Sequence, residues 1–169
     1  MMGTLLALIV LVGAGPAPGL RPPVKQRLIA LLGNPRMAPF IHAERVEALP
    51  VEDLMGTLKP GEAASDLGLA AKFRILLEPH PLDSEAIARV RLLLKRASSY
   101  EDAVSGCSFA PTVAIRFTRG EAFVDVILGN ECHQVAFAAD GADRLEYFVT
   151  SEEAARTLST LAREALTGR

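Results

Sequence analysis

The chain has 169 residues, 18 Lys and Arg against 20 Asp and Glu, a formal charge of −2 and no tryptophan. That length suffices for one compact domain with a sizeable core plus an extension. The near-neutral balance lacks the electrostatic footprint of a nucleic-acid binder, and a hydrophobic fraction of 50% excludes disorder over most of the chain.

The charge is unevenly placed, because the first ionisable side chain is Arg21. Leu5 to Val12 is an unbroken apolar run, followed by Gly13-Ala14-Gly15-Pro16-Ala17-Pro18-Gly19. The run would rise about 12 Å as a helix, far short of a bilayer core of about 30 Å. It reads as the apolar region and small-residue cleavage zone of a secretory signal over residues 1–19, with cleavage before Leu20. No Lys or Arg precedes the run, and no cysteine follows it to carry a lipid. The alternatives are a buried N-terminal helix or a wrongly assigned start. Export, periplasmic or secreted, is the expectation, with no transmembrane span in the mature chain.

Residues 20–39 read as a linker containing a short helix, opened by Pro22-Pro23 and stopped by Gly33-Asn34-Pro35. Leu28, Ile29, Leu31 and Leu32 form its apolar side. Residues 40–169 read as a single domain. Ile41 to Val51 alternates enough for a strand, with Val46 and Leu49 in the core. Asp53 to Leu69 carries Gly56, Pro60, Gly61 and Gly68 and reads as a long loop, and Phe73 to Leu77 as a short strand.

The next helix is capped by Asp83 or Ser84, has Glu85 in its first turn, and carries an Ile87, Val90, Leu93, Leu94 stripe. Arg89, Arg91, Lys95 and Arg96 give it a basic face, which reads as an anion site or, more simply, as a solvated surface. A last helix begins at a Thr150–Glu153 capping box, buries Leu158, Leu161, Ala162 and Ala165, and ends at Gly168.

Between these helices, Thr112 to Thr118 and Glu121 to Leu128 flank Arg119-Gly120, a two-residue hairpin signal. With Thr118 facing Glu121, Phe117 faces Ala122, Ile115 faces Val124 and Val113 faces Val126, so one face is wholly apolar. On the other face Arg116 lies diagonal to Asp125. Gly129-Asn130 offers a second turn into a strand at Gln134 to Ala138, and Asp140-Gly141 a third into Leu145 to Val149. The predicted class is α+β: an antiparallel meander of four to five strands, with one helix before it and a C-terminal helix packed on one face.

Cys107 and Cys132 are the only cysteines. Continuing the hairpin straight would set them opposite each other with α-carbons about 4.5 Å apart, within disulfide range. Pro111 and the turn at Gly129-Asn130 both interrupt that continuation, yet both thiols stay at one end of the sheet. A disulfide, stabilising by about 3 kcal/mol on the chain-entropy model, stands beside two alternatives: two free thiols, or a metal site. The triplet Glu131-Cys132-His133 suggests a thiol–imidazole pair, but adjacent strand residues point to opposite faces. A zinc site would need Cys107, Cys132, His133 and a distant His80 or His42, without any supporting ligand spacing. His133 sits among Val135 and Phe137 on the period-2 face and reads as a partly buried structural histidine. Glu78, Asp83, Glu121 and Asp125 are scattered over strand ends and turns, and no elbow, phosphate loop or zinc-helix motif is present.

The segment Cys107-Ser-Phe109-Ala-Pro111-Thr-Val-Ala-Ile-Arg-Phe117, then Val124-Asp125-Val126-Ile127-Leu128 and Cys132, resembles an uncharacterised family of bacterial exported proteins. That family's pattern runs C-x-F-x-P-x-x-A-x-x-F, then a V-D-V-L strand into C-F-x-C, with a C-terminal helix after it. The resemblance spans residues 40–167, with its specific part over about 30 residues. Gly129 stands where the first cysteine of C-F-x-C would be and Asn130 where the aromatic would be, so a three-cysteine site would be incomplete here. The resemblance implies no assigned activity and no cofactor.

The expected function is that of an exported, non-catalytic binding or envelope-associated module. The alternative is a metal- or thiol-dependent site around Cys107, Cys132 and His133. A small hydrolase built on the scattered carboxylates is a third and weaker reading.

Overall fold

The structure, a computed structural model, describes residues 22–53, 73–75, 78–103, 106–107, 109–129, 133–141 and 145–168. The expected leader (1–19), most of the expected loop after Asp53, and Asn130 to Cys132 lie outside the described residues.

The elements in chain order are α1 (Val24–Leu32), α2 (Ala38–Ile41), β1 (Arg45–Asp53), β2 (Phe73–Ile75), β3 (His80–Pro81) and α3 (Ser84–Lys95). They continue with β4 (Tyr100–Glu101), β5 (Pro111–Arg119), β6 (Ala122–Gly129), β7 (Gln134–Ala139), β8 (Glu146–Thr150) and α4 (Glu152–Thr167). The strands form one sheet in the order β2-β1-β5-β6-β7-β8-β4, with β3 also paired to β1. Every ladder is antiparallel. The α+β class and the β5–β8 meander are as expected, but the sheet is larger than four to five strands. Its described part has eight: the two strands upstream of the meander, β1 and β2, join the same sheet, and β3 and β4, of two residues each, are too short to show a period of two.

The β5–β6 alignment differs from the expected one by two residues. Arg119 faces Ala122, Phe117 faces Val124, Ile115 faces Val126, and Arg116 lies directly opposite Asp125. The loop is Gly120-Glu121, not Arg119-Gly120. Both tight hairpin turns need a positive φ at the first loop residue, and Gly120 takes it at 58°. A shift of two preserves which residues share a face, so the apolar face survives the correction. The ladder then slips between Val113 and Pro111, where the proline has no N–H to give.

Both faces of the sheet are buried at its centre. One carries Val46, Val113, Ile115, Phe117, Val124, Val126, Val135, Phe137 and Phe148, packed with residues from all four helices. Its middle is a chain of rings. Phe40 of α2 meets Phe117 edge-on at 4.9 Å and Phe137 at 6.0 Å. Phe137 meets Phe148 at 5.7 Å, and Phe148 meets Tyr100 at 5.2 Å. The Tyr100 hydroxyl donates to the Leu94 carbonyl at 2.7 Å, and burial pushes its phenol well up. The second face holds Leu49, Val51, Ala114, Ile127, Ala136 and Ala138, with Phe109 and Leu145 packed on it.

The helices follow their caps. Asp83 accepts the Ala86 N–H at 2.8 Å and starts α3. For α4 the cap is Ser151, which accepts the Ala154 N–H, and not Thr150. Thr150 is the buried last residue of β8, its hydroxyl already given to the His133 carbonyl at 2.7 Å. Gly168 closes α4 in the left-handed region at φ 67°, as expected.

In the stretch expected to be a linker, Val24, Leu28 and Met37 are buried in the main core. Ile29, expected on that helix's apolar side, is instead 62% exposed. The α1 helix is held at two points: Asp102 accepts the Val24 N–H, and the Arg27 guanidinium donates to the Tyr147 carbonyl while lying 4.5 Å from the Phe148 ring centre.

Phe40 is fully buried and touches two other rings. Phe40→Ala is expected to lower unfolding free energy by about 3–5 kcal/mol, measured by urea denaturation. A loss below ~1 kcal/mol would show that α2 does not seat the ring chain.

Candidate functional site

One candidate site lies at the sheet end where β5 begins and β6 stops, next to Cys107. The chain between β4 and β5 has to pass β8, β7 and β6, a traverse of about 19 Å at the usual strand spacing, and Cys107 and Phe109 sit on it. Cys107 is exposed and disulfide-bonded. Its carbonyl accepts from the buried Gln134 amide at 3.3 Å. Phe109 packs edge-on to Tyr147 with ring centres 5.2 Å apart. It also lies so close to Gly129 that a Cβ there would sit 3.0 Å from its ring. Glycine at 129, the position where the resembled pattern has cysteine, is thus what lets the ring settle onto β6.

His133 is exposed and not partly buried, because it precedes β7 in a turn and not on the strand's alternating face, and its role is in the backbone. It adopts a positive φ of 50°, unusual outside glycine. Its carbonyl accepts both the N–H and the hydroxyl of Thr150, each at 2.7 Å. His80 lies in β3, four strand steps from β7 and so about 19 Å away, while His42 follows α2 at the opposite end of the sheet. Among the described residues no group of three His, Cys, Asp or Glu side chains could hold a metal ion; Cys132 lies outside them.

The scattered carboxylates are also not brought together as a pair. Asp83 caps α3, and Glu121 is in the hairpin loop. Asp125 is the exception in its surroundings. It lies fully buried on the second face of the sheet, held in a two-pronged contact with Arg116, Nε to Oδ1 and Nη2 to Oδ2, each 2.8 Å. The guanidinium stacks 4.1 Å from the Phe123 ring centre, a planar contact lysine could not reproduce. Burial pushes the Asp125 carboxyl up to about 6 although Arg116 opposes the shift, and the charge of Asp140 adds to the rise. Both carboxylate oxygens are committed to Arg116, so the pair is a structural element and not a free acid or base. Sequence pattern signalled the partners, as a diagonal contact; the direct pairing required the corrected register.

The basic face of α3 is divided between roles. The Arg91 guanidinium lies 5.9 Å from the Phe117 ring centre and donates to the Ala43 carbonyl at 3.4 Å. Lys95 lies 5.8 Å from the Phe40 ring centre. These side chains cover the aromatic row more than they present an anion site. Arg89 lines a groove of about 360 Å³ between the start of α3 and the end of α4, with Asp83, Glu85 and Glu164. No helix among the described residues is long and apolar enough to cross a membrane.

No protein-family model and no curated protein matches the sequence. Among solved structures, the chain is similar to a "putative lipoprotein from Clostridium perfringens", at 11% identity and a TM-score of 0.43, covering 88% of this chain and 99% of that one. A likeness that distant assigns no function.

Two expectations follow from this geometry. The Asp125 carboxyl binds its proton more tightly in the folded chain than at its ordinary value of 3.8. Its burial therefore weakens the fold most above about pH 6, and the loss is progressively relieved as pH falls from there toward 4. Between pH 7.5 and 5 this group should raise unfolding free energy by about 1 kcal/mol, read from urea midpoints, and Asp125→Asn should abolish that slope. Gly129→Ala should cost about 1–3 kcal/mol through the clash with Phe109, and Phe109→Ala should remove most of that penalty in a double-mutant cycle.

Proposed function

We propose that this protein is an exported α+β domain acting as a non-catalytic binding or envelope-associated module, its β4–β5 crossing tied down by a disulfide between Cys107 and Cys132. What supports the reading is the placement of Cys107 as a bonded and not a free thiol. Disulfides persist in oxidising compartments and are rare where thiols are kept reduced. With only two cysteines in the chain, Cys132 is the intramolecular partner. The uncharged apolar opening and the resemblance to a bacterial exported family support the same compartment.

The alternative, a metal- or thiol-dependent site around Cys107, Cys132 and His133, needs at least one thiolate. A disulfide consumes both sulfurs. The hydrolase reading is disfavoured by Asp125, whose carboxylate is occupied by Arg116.

Intact mass spectrometry and N-terminal sequencing of protein recovered from cells expressing the full chain test the proposal. A mature chain beginning at Leu20 is expected, with a mass about 2 Da below its reduced form and without bound metal. Retention of residues 1–19, two free thiols, or stoichiometric zinc in freshly purified protein would overturn it.

A further inference from the structure

At the sheet end away from Cys107, three turns come together: the turn Pro35–Met37 before α2, the β5–β6 hairpin at Gly120, and the turn that follows β7. They enclose an open groove of about 460 Å³, within the range of roughly 300–1,000 Å³ common for small-molecule sites. Pro39 and the half-buried Phe123 contribute apolar surface, while Arg36, Glu44, Arg119 and Asp140 supply the charge.

These four charged side chains have two features that matter for binding. Among the described residues none of them is in an ion pair, with each other or elsewhere. Two are nevertheless held in place. Arg36 Nη1 donates to the Gly141 carbonyl at 2.8 Å, and Glu44 Oε2 accepts the Gly120 N–H at 3.2 Å. Phe123 is stacked against the Arg116 guanidinium, which the buried Asp125 anchors. The groove is thus partly pre-organised, which reduces the ordering cost of binding.

We propose that this groove binds a zwitterion of amino-acid type, either a free amino acid or a short peptide. The ligand carboxylate meets Arg36 and Arg119, whose planar forks suit it. Its ammonium meets Glu44 and Asp140, and its side chain covers Phe123 and Pro39. A ligand of single charge would face its own sign on part of the wall, whereas one carrying both signs satisfies both. This inference rests on the binding-module reading and names its ligand class.

Amide chemical-shift titration of the intact protein tests it, with phenylalanine, alanyl-phenylalanine, N-acetylphenylalanine and phenylalaninamide as probes. Saturable shifts at Gly120, Phe123 and Gly141 are expected from the two zwitterions. The stronger of them identifies free amino acid or peptide as the source. The blocked probes should bind at least about tenfold more weakly, and Arg119→Gln should weaken the zwitterion about tenfold with thermal stability unchanged. Absence of saturation in the millimolar range, equal binding of blocked probes, or shifts confined to another surface would overturn the proposal. Such a result leaves the mass-spectrometric test of export and disulfide untouched, so the two readings fail separately.

Discussion

Gly120 turns the chain between the two central strands, and its positive φ decides which residue of β5 meets which residue of β6. Everything across the sheet is counted from that alignment. It puts Arg116 opposite Asp125, so that a charge in the middle of a buried face has a partner within reach. It also puts Phe117, Ile115 and Val113 in line with Val124, Val126 and Leu128 beneath the helices. A one-residue slip would send the aromatic row to the wrong face and leave Asp125 without its guanidinium. An uncompensated buried carboxylate costs several kcal/mol, which makes the slipped alignments poor competitors.

The sheet's edges show how the same chain limits unwanted pairing. The strand at one edge, β4, has only two residues, and β8 extends beyond it. There the Tyr147 carbonyl is taken by the Arg27 guanidinium of α1. On the other side, β3 contains Pro81, which has no N–H to offer an incoming strand. Short strands, a proline and a charged cap are recognised means of discouraging edge-to-edge association. They also explain why a sheet with two buried faces can end in ordinary surface.

Much of this was legible in the residues because hydrophobic periodicity survives small errors of register. The apolar face of the hairpin is the same whether Thr118 meets Glu121 or Phe123, since both alignments keep its parity. The choice between them depended on a single dihedral angle, and Gly120 had to be weighed as a first rather than second loop residue. Thr150 and Ser151 are both good caps, so local pattern alone starts α4 one residue early. What separates them is a tertiary contact, the hydroxyl of Thr150 reaching His133 across the sheet, to which a local rule is blind. Ile29 looked apolar in a helical window, yet α1 lies so that Leu28 is buried and Ile29 is not. The groove at the hairpin end was not legible at all. Its charged residues are far apart in sequence, and only the folding of three turns to one end of the sheet brings them together.

The attachment of α1 has a consequence for the order of events in folding. Its two anchors, Asp102 and the Tyr147 carbonyl, lie 78 and 120 residues further along the chain. Closing loops of that length is entropically costly until intervening structure has shortened them. During synthesis from the N-terminus, α1 precedes every described strand, but these two anchors arrive only with Asp102 and β8. An isolated helix of nine residues is marginal in water, so the first of the described helices gains these two anchors late.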